Sequence, residues 1–156
     1  MNVKKLTVGA WINCAAAILS LISLIVYTMS VNNAGYFQNQ SVANMLLYVV
    51  VAAALFAGAV IIAQLDKQGA AVSKIITGLM QIAAPVLIVI PVISLVASRA
   101  EGMVFILFSN PEVLKEVQTP ENMTSVRLTI ATIVILAVVM LFGWIAAFCD
   151  LKKKEA

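Results

Sequence analysis

The chain has 156 residues, of which 63% are apolar by the broad definition and 11% are charged, against about 25% charged in soluble domains. A water-soluble fold of this length has no interior that could absorb so much apolar surface, which excludes the soluble globular class, and the few lysines and arginines make no pattern pointing to nucleic acid. No histidine is present, which removes bis-histidine haem, histidine metal ligands and histidine general bases together.

Lys4 and Lys5 lead into an apolar run at 6–30. That run is longer than the roughly 7–15 apolar residues of a secretory signal, so it reads as a retained first span. Trp11 suits an anchor at the membrane interface, and the half around 13–17 (NCAAA) is narrow and polar. Residues 31–41 (VNNAGYFQNQS) carry no charge and several amides, which suggests a short turn between antiparallel helices. The second span covers 42–65. Its middle, AAALFAGA, places Ala53 and Ala57, and Ala54 and Gly58, four residues apart. Small side chains at that spacing let another helix press close, so these four residues form the expected helix-packing face. A polar stretch at 66–74, with Gly69 as its turn residue, connects to the third span.

The third span, 75–97, is uncharged but interrupted by Pro85 and Pro91. Each proline removes one helical hydrogen bond and crowds the preceding turn, so a bend is expected at this pair. Residues 98–122 then form a longer outer loop. Within it 103–108 (MVFILF) is apolar yet too short to cross a bilayer, so it either lies in the interface or continues the third helix. Asn110-Pro111-Glu112 has the chemistry of a helix start: an amide cap, a proline where no donor is needed, and an acid at the positive end of the helix dipole. Thr119-Pro120-Glu121 repeats it. A short helix is therefore expected over 111–117, and a fourth long helix begins near Pro120, with its span at 123–149 and Trp144 at the second interface. The tail at 150–156 holds Lys152, Lys153 and Lys154, which can attract anionic lipid at about 1 kcal/mol per charge.

These elements predict an all-α, polytopic membrane protein: a four-transmembrane-helix bundle with a short first outer loop and a longer, partly helical second one. Lys4, Lys5, Lys67, Lys74, Lys152, Lys153 and Lys154 fall on one side, against Arg99, Lys115 and Arg127 on the other. Positive residues favour the cytoplasm, which puts both termini inside, in a plasma membrane, with a bacterial cell membrane as the expected host. Cys14 and Cys149 then share the reducing side, so no structural disulfide is expected.

Chemistry is sparse. No acidic residue lies within the four spans, which disfavours a proton-coupled carrier. Neither a nucleophile paired with a base nor a glycine-rich phosphate loop occurs, so neither catalysis nor a cofactor or metal is expected. Asn13 and Gln81 lie at similar depth in the first and third spans and form the expected polar intramembrane pair, their amides meeting if those helices pack together. The leading functional expectation is assembly, either with itself or as an accessory subunit of a larger membrane complex. The alternative is a transport or pore protein, such as a holin-like oligomer or a neutral-solute carrier, using the proline-bent third helix.

Overall fold

The computed structural model describes residues 7–66 and 71–151. The basic lead with Lys4 and Lys5, Lys67, the Gly69 turn and the Lys152, Lys153 and Lys154 tail lie outside the described residues. Within them the chain forms five helices and no strand: α1 (Val8–Asn32), α2 (Met45–Leu65), α3 (Ala71–Phe108), α4 (Pro111–Val117) and α5 (Pro120–Ala147). All but α4 are long and apolar enough to cross a membrane.

Local chemistry explains the helix boundaries. Thr7 Oγ1 accepts from the Ala10 amide and donates to the Asp150 carbonyl at 2.6 Å, which caps α1 and brings its start to the end of α5. Asn110 Oδ1 accepts from the Val113 amide at 2.9 Å and Thr119 Oγ1 from the Asn122 amide at 3.2 Å, each with a proline in the first turn that follows. The helix α3 differs from the sequence expectation in length. It runs past the expected span end at 97 to Phe108, so that of the two alternatives for 103–108 the segment continues the third helix, and its 38 residues extend ~57 Å. Pro85 and Pro91 both lie inside this helix and are buried.

The packing order is a ring. Helix α1 meets α2 and α5, and α3 meets α2 and α5, while α4 packs against the end of α3 and its Val117 carbonyl accepts from Asn122 Nδ2 of α5. Helices α1 and α3 therefore occupy opposite corners. The buried positions explain the contacts: Gly9, Asn13, Ala16, Ser20, Ser23, Tyr27 and Ser30 on α1, and Ser125, Thr129, Thr132, Leu136, Val139, Gly143 and Ala146 on α5. Both series step by four and three residues in alternation, the repeat that keeps one seam of a helix facing a neighbour over its full length. Serines, threonines, alanines and glycines dominate these seams and permit close approach of the backbones. The outward faces carry Ile18, Leu21, Ile25, Leu47, Ile61 and Ile93 among many other exposed apolar side chains, as lipid contact requires.

The middle of the ring is filled by Tyr27, Val49, Phe56, Ile88, Leu95, Leu136 and Val139. At Gly143 α5 approaches α3 and α2 closely: a Cβ there would lie 2.7 Å from the Pro85 Cβ and 2.9 Å from the Phe56 ring. The four residues expected to form the α2 packing face divide. Ala53 is buried, Ala54 is exposed, Ala57 and Gly58 are half-buried, and the position of a Gly58 Cβ faces only the Met80 methyl. The packed seam of α2 instead runs through Val49, Ala52, Phe56, Ala59 and Ala63, because the repeat of four and three selects that stripe.

Candidate functional site

The end of the ring that carries the 33–44 connection, α4 and the far ends of α3 and α5 is its most elaborate part, and is called here the distal end. Two local devices shape the 33–44 segment. Asn39 and Asn44 adopt left-handed backbone conformations, at φ 59° and 57°, which asparagine tolerates better than most residues. The amide of Asn39 donates to the Val31 carbonyl at 2.9 Å and that of Gln38 to the Gly35 carbonyl at 2.9 Å, so the chain folds back on itself. It does not form a bare turn. It lies over the end of the ring and delivers Phe37 into a small second core with Ile106 and Val126, flanked by Met103, Leu107 and Met123.

Three sets of contacts fasten the segment. On the α5 side, Asn33 Nδ2 donates to the Glu121 carbonyl at 2.9 Å and to Ser125 Oγ at 3.0 Å, and the Tyr36 amide donates to Asn122 Oδ1 at 2.7 Å. On the α1 side, the Val42 amide donates to the Tyr27 hydroxyl at 2.6 Å. On the α3 side stands Arg99, only 1% exposed and the largest fully buried side chain. Its Nη1 donates to Gln40 Oε1 at 3.0 Å, its Nη2 donates to the Gln40 carbonyl, and its guanidinium lies 4.4 Å from the centre of the Phe37 ring. The Nε atom is buried without a partner, and among the described residues no carboxylate pairs with this cation.

A guanidinium taken out of water forgoes several kcal/mol of hydration, which two charge-assisted hydrogen bonds and a cation–π contact offset only in part. Arg99 thus functions as a latch: it ties an uncharged loop to α3, as Asn33 and Tyr36 tie it to α5. The sequence places Arg99 in the outer 98–122 segment, with no sign in the apolar run itself that it is buried. The signal that locates it is phase. If α3 continues past residue 97, the buried series Ile88, Pro91, Leu95 passes through Arg99 to Gly102 and Ile106.

Below this cap the α1–α5 seam is lined by hydroxyls. Ser30 Oγ and Thr129 Oγ1 are 3.1 Å apart, bridging the two helices, whereas Ser20, Ser23 and Thr132 donate to carbonyls of their own helices at 2.7–2.8 Å. Asn13 and Gln81 do not meet. Asn13 Nδ2 donates to the Gly9 carbonyl in its own helix at 2.9 Å, leaving Oδ1 buried and unpartnered, while Gln81 Nε2 donates across to the Ala146 carbonyl of α5 at 2.7 Å. The reason is topological, since α1 and α3 are opposite corners and the backbone of α5 is nearer to Gln81.

At the other end Trp11 and Trp144 are both about half exposed, and an apolar groove of ≈ 380 Å³ lies between α3 and α5, lined by Ile82, Pro85, Val86, Trp144, Ala147 and Phe148. It offers no polar group that could orient a ligand. Among the described residues no cluster of acidic, histidine or cysteine side chains could hold a metal, and Cys14 and Cys149 are free thiols. No known family model matches this chain, and no curated protein or solved structure is significantly similar to it.

Proposed function

We propose that this chain is a four-span plasma-membrane protein with both termini in the cytoplasm, without catalytic activity, that serves as an accessory subunit of a larger membrane complex and presents its distal end on the outer side. The observation that carries this reading is the contrast between a filled interior and a projecting head. The ring is occupied by Phe56, Ile88, Leu136 and Val139 at mid-depth and covered at its distal end by Phe37 and Arg99. A conduit through a single chain would need those side chains to move apart. The helix α3 nevertheless runs on past Arg99 to Phe108, and α4 joins it to the start of α5, a head whose outer face is left uncovered by the chain itself.

The lysine and arginine bias supports the orientation, and the shared position of residues 7 and 150 at one end supports an even number of crossings. The exposed Ala54 with half-buried Ala57 and Gly58 offers a lateral surface on α2 for a helix of the partner. The test is purification of the tagged chain from its native membrane in mild detergent, with the mass of the complex and its components determined. A defined assembly containing a second protein is expected. A monomer, or an oligomer of this chain alone, overturns the accessory role. For orientation, cysteine introduced as Glu112→Cys should react with a membrane-impermeant maleimide applied to intact cells, and protection there reverses the topology.

A further inference from the structure

Resting on the accessory reading, the geometry points to a specific docking surface: the ridge of Glu101, Val104, Phe105 and Phe108 on α3, with Tyr36 beside it, seats an extracytoplasmic amphipathic segment of a partner membrane protein, one that carries lysine or arginine next to apolar side chains.

These four α3 residues follow one another at helical spacings of three, one and three, so they share a face. That face is turned away from the second core: Val104 is 58% exposed, Phe105 42%, Phe108 77% and Tyr36 43%, and the Tyr36 and Phe105 ring centres are 6.0 Å apart. Exposed apolar residues on a spanning helix are usually covered by lipid. Here the height argues otherwise. Gln118 Nε2 donates to the Ile106 carbonyl at 3.1 Å, which sets that turn of α3 beside the junction of α4 and α5, and the Tyr36 amide is bound to Asn122 one residue from Glu121. The aromatic ridge therefore stands level with the carboxylate-bearing residues of the head, where a lipid-tail environment is unfavourable.

Charge then selects the occupant. The head exposes Glu101, Glu112, Glu116 and Glu121 against Lys115 and, further down α5, Arg127, so its exposed charge is net acidic while Arg99 is buried. A second copy docking through the same ridge would bring two such acidic heads together, and an anionic headgroup layer would be repelled in the same way. A basic, partly apolar segment is complementary on both counts. The surface is also pre-organised, because Ile106 and Phe37 anchor it from behind and little ordering accompanies binding. Aromatic side chains on such a rigid base are the residue type that dominates interface energetics.

The test places a photo-reactive phenylalanine analogue at Phe108 in the full chain in its native membrane, with the same analogue at the exposed, lipid-level Ile93 as reference. Irradiation should give one discrete protein adduct from position 108 and lipid adducts from 93, and mass spectrometry of the joined peptide should find lysine or arginine within two helical turns of the link. Glu101→Lys combined with Glu112→Lys should lower the adduct yield about tenfold, as should raising salt from about 0.1 to about 0.5 M. Lipid adducts alone at 108, an adduct of twice the chain's mass, or a yield indifferent to charge reversal overturns the proposal. If the purified complex persists while Phe108 captures nothing, the accessory reading stands and this ridge is not its contact.

Discussion

Replacing Arg99 by methionine separates a latch from a mere filler. Methionine keeps most of the aliphatic stem and its packing, but removes the charge and all donors. Two hydrogen bonds from a charged donor to Gln40 are lost, gross about 1.5–3 kcal/mol each, with a cation–π contact to Phe37 of about 0.5–2 kcal/mol. Most of that gross sum is recovered because the guanidinium no longer has to be stripped of water and its unpartnered Nε disappears. The acceptors on Gln40 are not stranded, since this residue is exposed and can turn to solvent. We expect the remaining deficit, about 2 kcal/mol, to appear locally as easier opening of the 33–44 segment, which is about 30-fold faster amide exchange at Gln38, Asn39 and Gln40. Hydrogen exchange with mass spectrometry in nanodiscs reads this peptide directly, while peptides from α1 and α5 should be unchanged. The variant Arg99→Lys, which keeps the charge but loses the two-pronged geometry, should fall between. Unchanged exchange at 38–40, or acceleration spread through α1 and α5, would refute the latch.

Other expectations follow from the same contacts. Asn13→Leu removes a buried amide whose oxygen has no partner, so thermal stability in detergent should hold or rise; a marked fall would mean that Oδ1 is bound by something essential. Gln81→Leu should instead lower stability by about 0.6–2 kcal/mol, through loss of the bond to Ala146, measured by denaturant titration. Gly143→Leu forces atoms into the Pro85 and Phe56 rings and should abolish a cooperative thermal transition, whereas Gly58→Ala, which meets only the end of Met80, should preserve it. A double-mutant cycle of Ser30→Ala and Thr129→Ala should give a coupling of about 0.6 kcal/mol, and a value near zero would mean that the hydroxyls do not bridge α1 and α5.

Local chemistry was readable from the chain, and spatial order was not. The caps at Asn110 and Thr119, each followed by proline and glutamate, announce helix starts because every group involved lies within four residues. Four long apolar runs announce four long helices for the same reason. The seam residues are harder to read because, in a chain whose outward face is also apolar, the usual contrast between buried apolar and exposed polar disappears. The informative contrast is small against large: Ala16, Ser20 and Ser23 face inward while Ile18, Leu21 and Ile25 face outward. Asn13 and Gln81 stand out in the sequence as polar residues within two apolar runs, yet position along a run says nothing about which corner of the ring a helix takes. Of the two readings of 103–108, continuation of the third helix is the one realised, because Glu101 and Gly102 do not stop it and 103–108 packs against Phe37; the burial of Arg99 follows from that continuation and has no signal in the apolar run alone.

The seam between α1 and α5 joins the first helix to the last. During synthesis, α1 enters the bilayer with its hydroxyl-lined stripe finished and its mate still unmade, for on the order of ten seconds at ordinary translation rates. Ser20 and Ser23 meanwhile bond within their own helix and need no partner, but Ser30 must await Ser125 and Thr129. The ring therefore closes only on arrival of the final segment, so a nascent chain halted before α5 displays an open flank of small and polar groups, the kind of surface that membrane quality control or a waiting partner helix can engage.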